Sequence, residues 1–131
     1  EVDPSVTSFL TGYYSSWSEG DMNAYSDCFL DDAVIVFVDE GEVRSRMPLE
    51  PFIEQQASMQ RNPATRAVER MTDHRADVDG VAATATVDWL LERGERRLRG
   101  VDRFTLIKNP AGAWKIATLV FYVTDRGSGE I

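Results

Sequence analysis

The sequence has one cysteine, one histidine and no long apolar run. With Cys28 alone, no intrachain disulfide can form, and a reducing, cytoplasmic setting is the expectation. His74 alone rules out histidine-rich metal spacing, and no His/Cys pattern suited to zinc occurs elsewhere, so no metal is expected. No segment approaches the roughly 18 apolar residues of a membrane helix. Basic residues are also few: 14 against 22 acidic ones, a net charge of −8. That balance argues against nucleic acid, whose phosphates are held by Lys and Arg, and against an anionic membrane surface. There is no phosphate-cradling glycine loop and no nucleophile elbow, and no cofactor is expected. The chain begins at Glu1 rather than Met, which leaves a removed upstream segment open.

What is present fits one domain over residues 1–131, with 43% hydrophobic residues and size enough for a core without staples. The organising stretch runs from Trp17 to Phe37. Asp3-Pro4 starts a helix, and Val6, Phe9, Leu10, Tyr13, Tyr14 and Trp17 follow helical spacing. Gly20 stops it, and Asp21 caps a shorter helix that ends near Leu30. Asp31-Asp32 reads as an acidic turn. Ala33 to Val38 is a β-branched run, expected to be a strand covered on both faces. Val43 to Arg46 reads as a short partner strand. Pro48 to about Gln60 reads as a third helix, with Leu49, Phe52, Ile53 and Met59 inward.

Four strands then follow, about Thr65–Val78, Ala82–Glu92, Arg96–Lys108 and Ala113–Asp125. Their breaks at Asp79-Gly80, Arg93-Gly94 and Asn109-Pro-Ala-Gly112 are sound turn chemistry. The last strand is apolar on both faces, so both are expected to be covered. Helices on one side of a long antiparallel meander make an α+β layer. The tail from Arg126 to Ile131 reads as frayed.

With these elements in place, the chain resembles the nuclear transport factor 2-like superfamily, which includes SnoaL-like cyclases, ketosteroid isomerases and scytalone dehydratases. The matching pieces are Trp17-Ser-Glu-Gly-Asp21, Phe29-Leu-Asp-Asp-Ala-Val34, Asp77-Val-Asp-Gly80, Val101-Asp-Arg-Phe-Thr-Leu106 and Gly112-Ala-Trp-Lys-Ile116. The resemblance covers nearly the whole chain. It implies a cone: a curved, barrel-like antiparallel sheet wrapped around three helices from the N-terminal half, with an apolar cavity at the open end. It also implies a homodimer through the outer sheet face. It does not select a chemistry, because this fold hosts many.

Asp102 is the first candidate for chemistry. Its strand alternates Leu98, Asp102, Phe104 and Leu106 on one face with Arg97, Arg99, Val101 and Arg103 on the other, so a carboxylate sits on the apolar side. Burial there raises its pKa. By resemblance, Asp102 takes the place of the acid that ketosteroid isomerases keep protonated to stabilise an oxyanion. Its bland alternative is a structural Asp bonded to a phenol. Tyr13, counted back from Gly20-Asp21, matches the isomerases' catalytic tyrosine, a neutral donor for an oxyanion. It also sits in a core stripe, where Tyr is ordinary packing.

The isomerases' basic aspartate is missing: the matching position holds Phe37. Glu69 and His74 are the remaining candidates for a base. They have opposite parity on one strand, so only a bulge could turn both inward. Trp17, Phe29, Phe37, Phe52, Trp89 and Phe121 are the expected wall of a pocket for a small apolar or aromatic molecule. The alternatives are a non-catalytic ligand-binding module and a dimerisation module whose rings simply fill the cone.

Overall fold

The structure is a computed structural model that describes residues 2–127. Asp3 caps the first helix by accepting from the Ser5 N–H at 2.9 Å, and α1 runs Pro4–Glu19 with Pro4 at its first position. Val6, Leu10, Tyr13, Tyr14 and Trp17 are buried along one stripe. Gly20 ends the helix with φ +77°, a left-handed conformation that costs glycine least. Asp21 then caps α2, Met22–Asp27, by accepting from Ala24 N–H at 3.1 Å.

α2 is shorter than its apolar spacing implies. The Cys28 carbonyl accepts from the Ile116 N–H at 2.8 Å, so the sheet takes this backbone before another helical turn can form. β1 therefore starts at Phe29 and runs to Asp39, and Asp31-Asp32 lies inside it as an irregularity in its pairing rather than as a turn.

β2, Glu42–Pro48, leads into α3, Leu49–Arg61, which tolerates Pro51 in its first turn. The inward face of α3 differs from the expectation. Leu49, Phe52, Gln56 and Gln60 are buried, while Ile53 and Met59 are half-buried. The glutamines bridge backbone and side-chain groups that would otherwise be stranded. Trp17 Nε1 donates to Gln56 Oε1 at 2.8 Å. Gln60 Nε2 donates to the carbonyls of Trp17 and Ala67 at 2.8 and 2.9 Å, and Gln60 Oε1 accepts from Ala67 N–H at 3.1 Å. A Gln60→Leu change strands all three backbone groups. It should cost about 3 kcal/mol, read as a lower urea midpoint at unchanged slope; a midpoint unchanged from wild type would contradict this role.

The remaining strands are β3 (Val68–Asp79), β4 (Ala82–Arg93), β5 (Arg96–Lys108) and β6 (Trp114–Asp125). The six form one curved open sheet in the order β2-β1-β6-β5-β4-β3, not a closed barrel. All neighbouring pairs are antiparallel except β1 with β6, which is parallel. The three helices lie on one face of the sheet. Tyr13, Tyr25, Phe29, Phe52 and Phe104 interlock there, with centroid separations of 5.0 to 6.4 Å.

The other face is only partly covered in the single chain. Ala33 and Ile35 of β1 are buried, but Val34 is 38% exposed, and Val120 of β6 is half-buried. The expectation that both faces of these strands are covered thus fails for the isolated chain. Of the expected tail, Arg126 reaches back to Asp39 at 3.2 Å, and residues 128–131 lie outside the described residues.

Candidate functional site

The open end of the fold holds a pocket of about 440 Å³ between the inner sheet face and the helices. Trp17 of α1, Phe37 of β1, Phe52 of α3, Trp89 of β4 and Phe121 of β6 line it, as do Tyr13 and Tyr25. Phe37 and Phe121 stack at 5.1 Å. Phe29, expected in this wall, instead packs within the buried ring cluster, because β1 enters the sheet four residues earlier than its β-branched run.

Asp102 is in the wall, 5% exposed. The phenol that holds it is Tyr14, which donates to Asp102 Oδ2 at 2.5 Å. Tyr13, the phenol expected there, instead bonds the Tyr25 hydroxyl at 3.1 Å. Neighbouring helical residues point about 100° apart, so only one of two adjacent tyrosines can reach a given strand. Both phenols are held well above the ordinary tyrosine pKa, chiefly by burial, so both are neutral donors.

Glu69 shares the pocket with Asp102. The sheet achieves this with a bulge. The pairing of β3 with β4 slips between Met71 and Asp73, which places Glu69 and His74 on the same side despite their opposite parity. They serve different regions. Glu69 faces the pocket, with its backbone N–H held by Ser18 Oγ at 2.8 Å. His74 Nε2 meets Thr7 Oγ1 of α1 at 2.9 Å and is not part of the pocket lining.

The two carboxylates are perturbed for distinguishable reasons. Burial raises Asp102 to about 7, against the opposing pull of the Tyr14 hydrogen bond and of the nearby Trp89 indole N–H. Glu69 is raised well above its ordinary value, first by burial and then by the charge of Asp102. The Trp89 N–H is buried and makes no hydrogen bond to a partner among the described residues. Its ring occupies the space a Cβ would take at Gly100 of β5, its cross-strand neighbour.

Sequence reading missed several contributors. Tyr14 stands in the same stripe as Tyr13, and spacing does not separate them. Gln56 and Gln60 look like solvated helix positions. Arg44 and Arg93 both line the pocket, although in the sequence Arg44 belongs to the short partner strand and Arg93 to a turn, and neither stands out as a pocket residue. Cys28 is half-buried, with its pKa raised to about 11 chiefly by burial, which leaves little reactive thiolate. Among the described residues, no cluster of three His, Cys, Asp or Glu could hold a metal, and no helix is long and apolar enough to cross a membrane.

An open curved sheet with three helices on its inner face and a pocket at one end defines the nuclear transport factor 2-like, or cystatin-like, class. The chain belongs to the family described as "putative lumazine-binding", whose model matches residues 1–122. Solved structures agree on the fold. A protein of unknown function from Mycobacterium tuberculosis is 20% identical with a TM-score of 0.75, over 91% of this chain and 69% of that one. The β subunit of the benzoate 1,2-dioxygenase from Burkholderia mallei is 17% identical with a TM-score of 0.74, over 95% and 92%. A protein from Novosphingobium aromaticivorans, described as NTF2-like with a cystatin-like fold, is 18% identical with a TM-score of 0.73, over 96% and 83%. No curated protein matches the sequence.

Proposed function

We propose that this protein binds a flat, largely apolar small molecule in the 440 Å³ pocket and moves a proton on it, in the manner of an isomerase, dehydratase or cyclase. The observation that carries the reading is the presence of two carboxylates, Asp102 and Glu69, in one ring-lined wall. The volume falls in the range of about 300–1,000 Å³ usual for ligand sites. A family described as lumazine-binding supports a small-molecule ligand.

Pairs of carboxyls in unequal environments divide the work of acid and base. Burial raises both carboxyls, but the Tyr14 hydrogen bond and the nearby Trp89 N–H oppose it at Asp102, whereas the charge of Asp102 adds to it at Glu69. Asp102 is therefore the proton acceptor and Glu69 the donor. This reverses the role the resemblance gives Asp102, and it supplies a base although Phe37 fills the isomerases' basic position. Tyr13 lines the same wall and serves as a neutral hydrogen-bond donor.

The test is deuterium exchange into 2-tetralone, a flat bicyclic ketone, followed by NMR. Wild type should accelerate exchange over buffer. The rate should rise with pH through about 7 as Asp102 ionises, then fall when Glu69 loses its proton. Glu69→Gln should slow exchange by about 100-fold or more while binding persists. Binding of 2-tetralone with no acceleration would instead establish a non-catalytic binding module, the reading favoured by Phe37.

The homodimer through the outer sheet face belongs to the same proposal, supported by the partly exposed valines there. A monomer in sedimentation analysis at micromolar concentration would refute it.

A further inference from the structure

The pocket's charge runs against that of the chain. The whole protein carries −8, yet two of the four ionisable non-phenolic side chains in the lining are arginines, Arg44 and Arg93. They come from two different strands, Arg44 from β2 and Arg93 from the last position of β4. We propose that these guanidiniums receive an anionic group, so that the ligand is a flat apolar ring system bearing a single carboxylate or equivalent acid. This rests on the reading that the pocket holds a small molecule, and it specifies which class.

Arg93 is the stronger of the two. Its Nε donates to the Thr65 carbonyl at 2.9 Å, which restrains the guanidinium, and among the described residues neither terminal nitrogen is engaged by this bond. Among the described residues no carboxylate forms an ion pair with it. A half-buried arginine with a fixed fork and no anion is arranged for bidentate recognition of a carboxylate. Arg44 is more exposed and shares its charge with Glu42 at 3.1 Å, so its contribution is smaller.

The other charges in the pocket do not cancel this. Burial raises the Glu69 carboxyl well above its ordinary pKa and raises Asp102 to about 7, so each carries less negative charge near neutrality than an exposed carboxylate. Screening limits the reach of the distant surface carboxylates to about 10 Å in ordinary salt. The pocket therefore offers an anionic group two guanidiniums. The rings in the same lining, Trp17, Phe37, Trp89 and Phe121, take the apolar body.

The test uses a matched pair, 2-naphthoate and its neutral isostere 2-naphthamide, titrated calorimetrically. Wild type should bind the anion about tenfold or more tightly than the amide. Arg93→Gln should bring the two affinities to within about threefold while leaving amide binding unchanged, and the unchanged amide shows that the pocket is intact. Arg44→Gln should reduce the preference only in part. Equal wild-type affinities for both probes overturn the charge assignment and leave the small-molecule reading standing. Failure of both probes to bind at millimolar concentration overturns both readings. If Arg93→Gln loses the amide as well, the wild-type ratio and its decline with added salt decide the question, since a preference that persists in high salt is not carried by the arginines.

Discussion

Replacing Asp102 with asparagine is expected to make the folded protein more stable at pH 8, not less, while removing the proposed proton acceptor. Asp102 is 5% exposed, and burial raises its pKa from 3.8 to about 7. The native state therefore holds this proton to higher pH than the unfolded chain does. Over the window from about pH 4 to about pH 7, unfolding releases it, and stability falls as pH rises. A displacement of that size corresponds to on the order of 4 kcal/mol once Asp102 is fully ionised.

Asparagine never ionises and can still accept from the Tyr14 hydroxyl, so it avoids that cost. The difference in unfolding free energy between Asp102→Asn and wild type should be small near pH 4 and grow toward about 4 kcal/mol at pH 8. Denaturant unfolding at a series of pH values reads this directly. A difference that does not change with pH would show that Asp102 is already ionised without cost in the native state.

Gly100→Ala is expected to be the most damaging change that touches no reactive group. A Cβ at Gly100 would stand 2.1 Å from Trp89 Cζ2, 2.5 Å from Trp89 Cη2 and 2.4 Å from the Tyr122 carbonyl oxygen. The indole could be pushed aside, but the carbonyl belongs to the neighbouring strand and cannot yield without breaking the local pairing of β5 with β6. Overpacking against backbone costs about 3 kcal/mol or more. That corresponds to a fall in melting temperature of roughly 10 °C for a domain of this size.

The same displacement takes the Trp89 N–H away from Asp102, so the apparent pKa near 7 should move upward in any variant that still folds. A double variant, Gly100→Ala with Trp89→Leu, tests the geometry. It should recover only part of the stability, because the contact with the Tyr122 carbonyl remains. Full recovery would place the whole clash on the indole.

How much was legible in the sequence depends on whether a residue's role was set by its own strand or helix. Asp102 was legible because β5 alternates cleanly, and a carboxylate among Leu98, Phe104 and Leu106 has to face the interior. The limits of α1 were legible because Asp3, Pro4 and Gly20 act on the backbone next to them. The pairing of Asp102 with Tyr14 was not, since 88 residues separate the partners and either of two adjacent phenols satisfies the helical pattern. Glu69 and His74 could not be separated either. The bulge that turns both inward appears only when β3 is paired with β4, and the part of the fold each faces is set by α1.

The sequence by itself determined the α+β class, the order of its elements and the acidic residue on the inner face, because local backbone chemistry and side-chain periodicity act over a few residues. Only the tertiary structure decided which phenol holds Asp102, which carboxyl joins it, and that two arginines line the pocket. Those outcomes depend on strand register and helix rotation, and a single residue's shift in either exchanges one neighbour for another. The Trp17–Phe37 stretch shows the division: its stop at Gly20 and its strand residues are plain in the sequence, yet only strand pairing decided that Phe29 belongs to the core and Phe37 to the pocket.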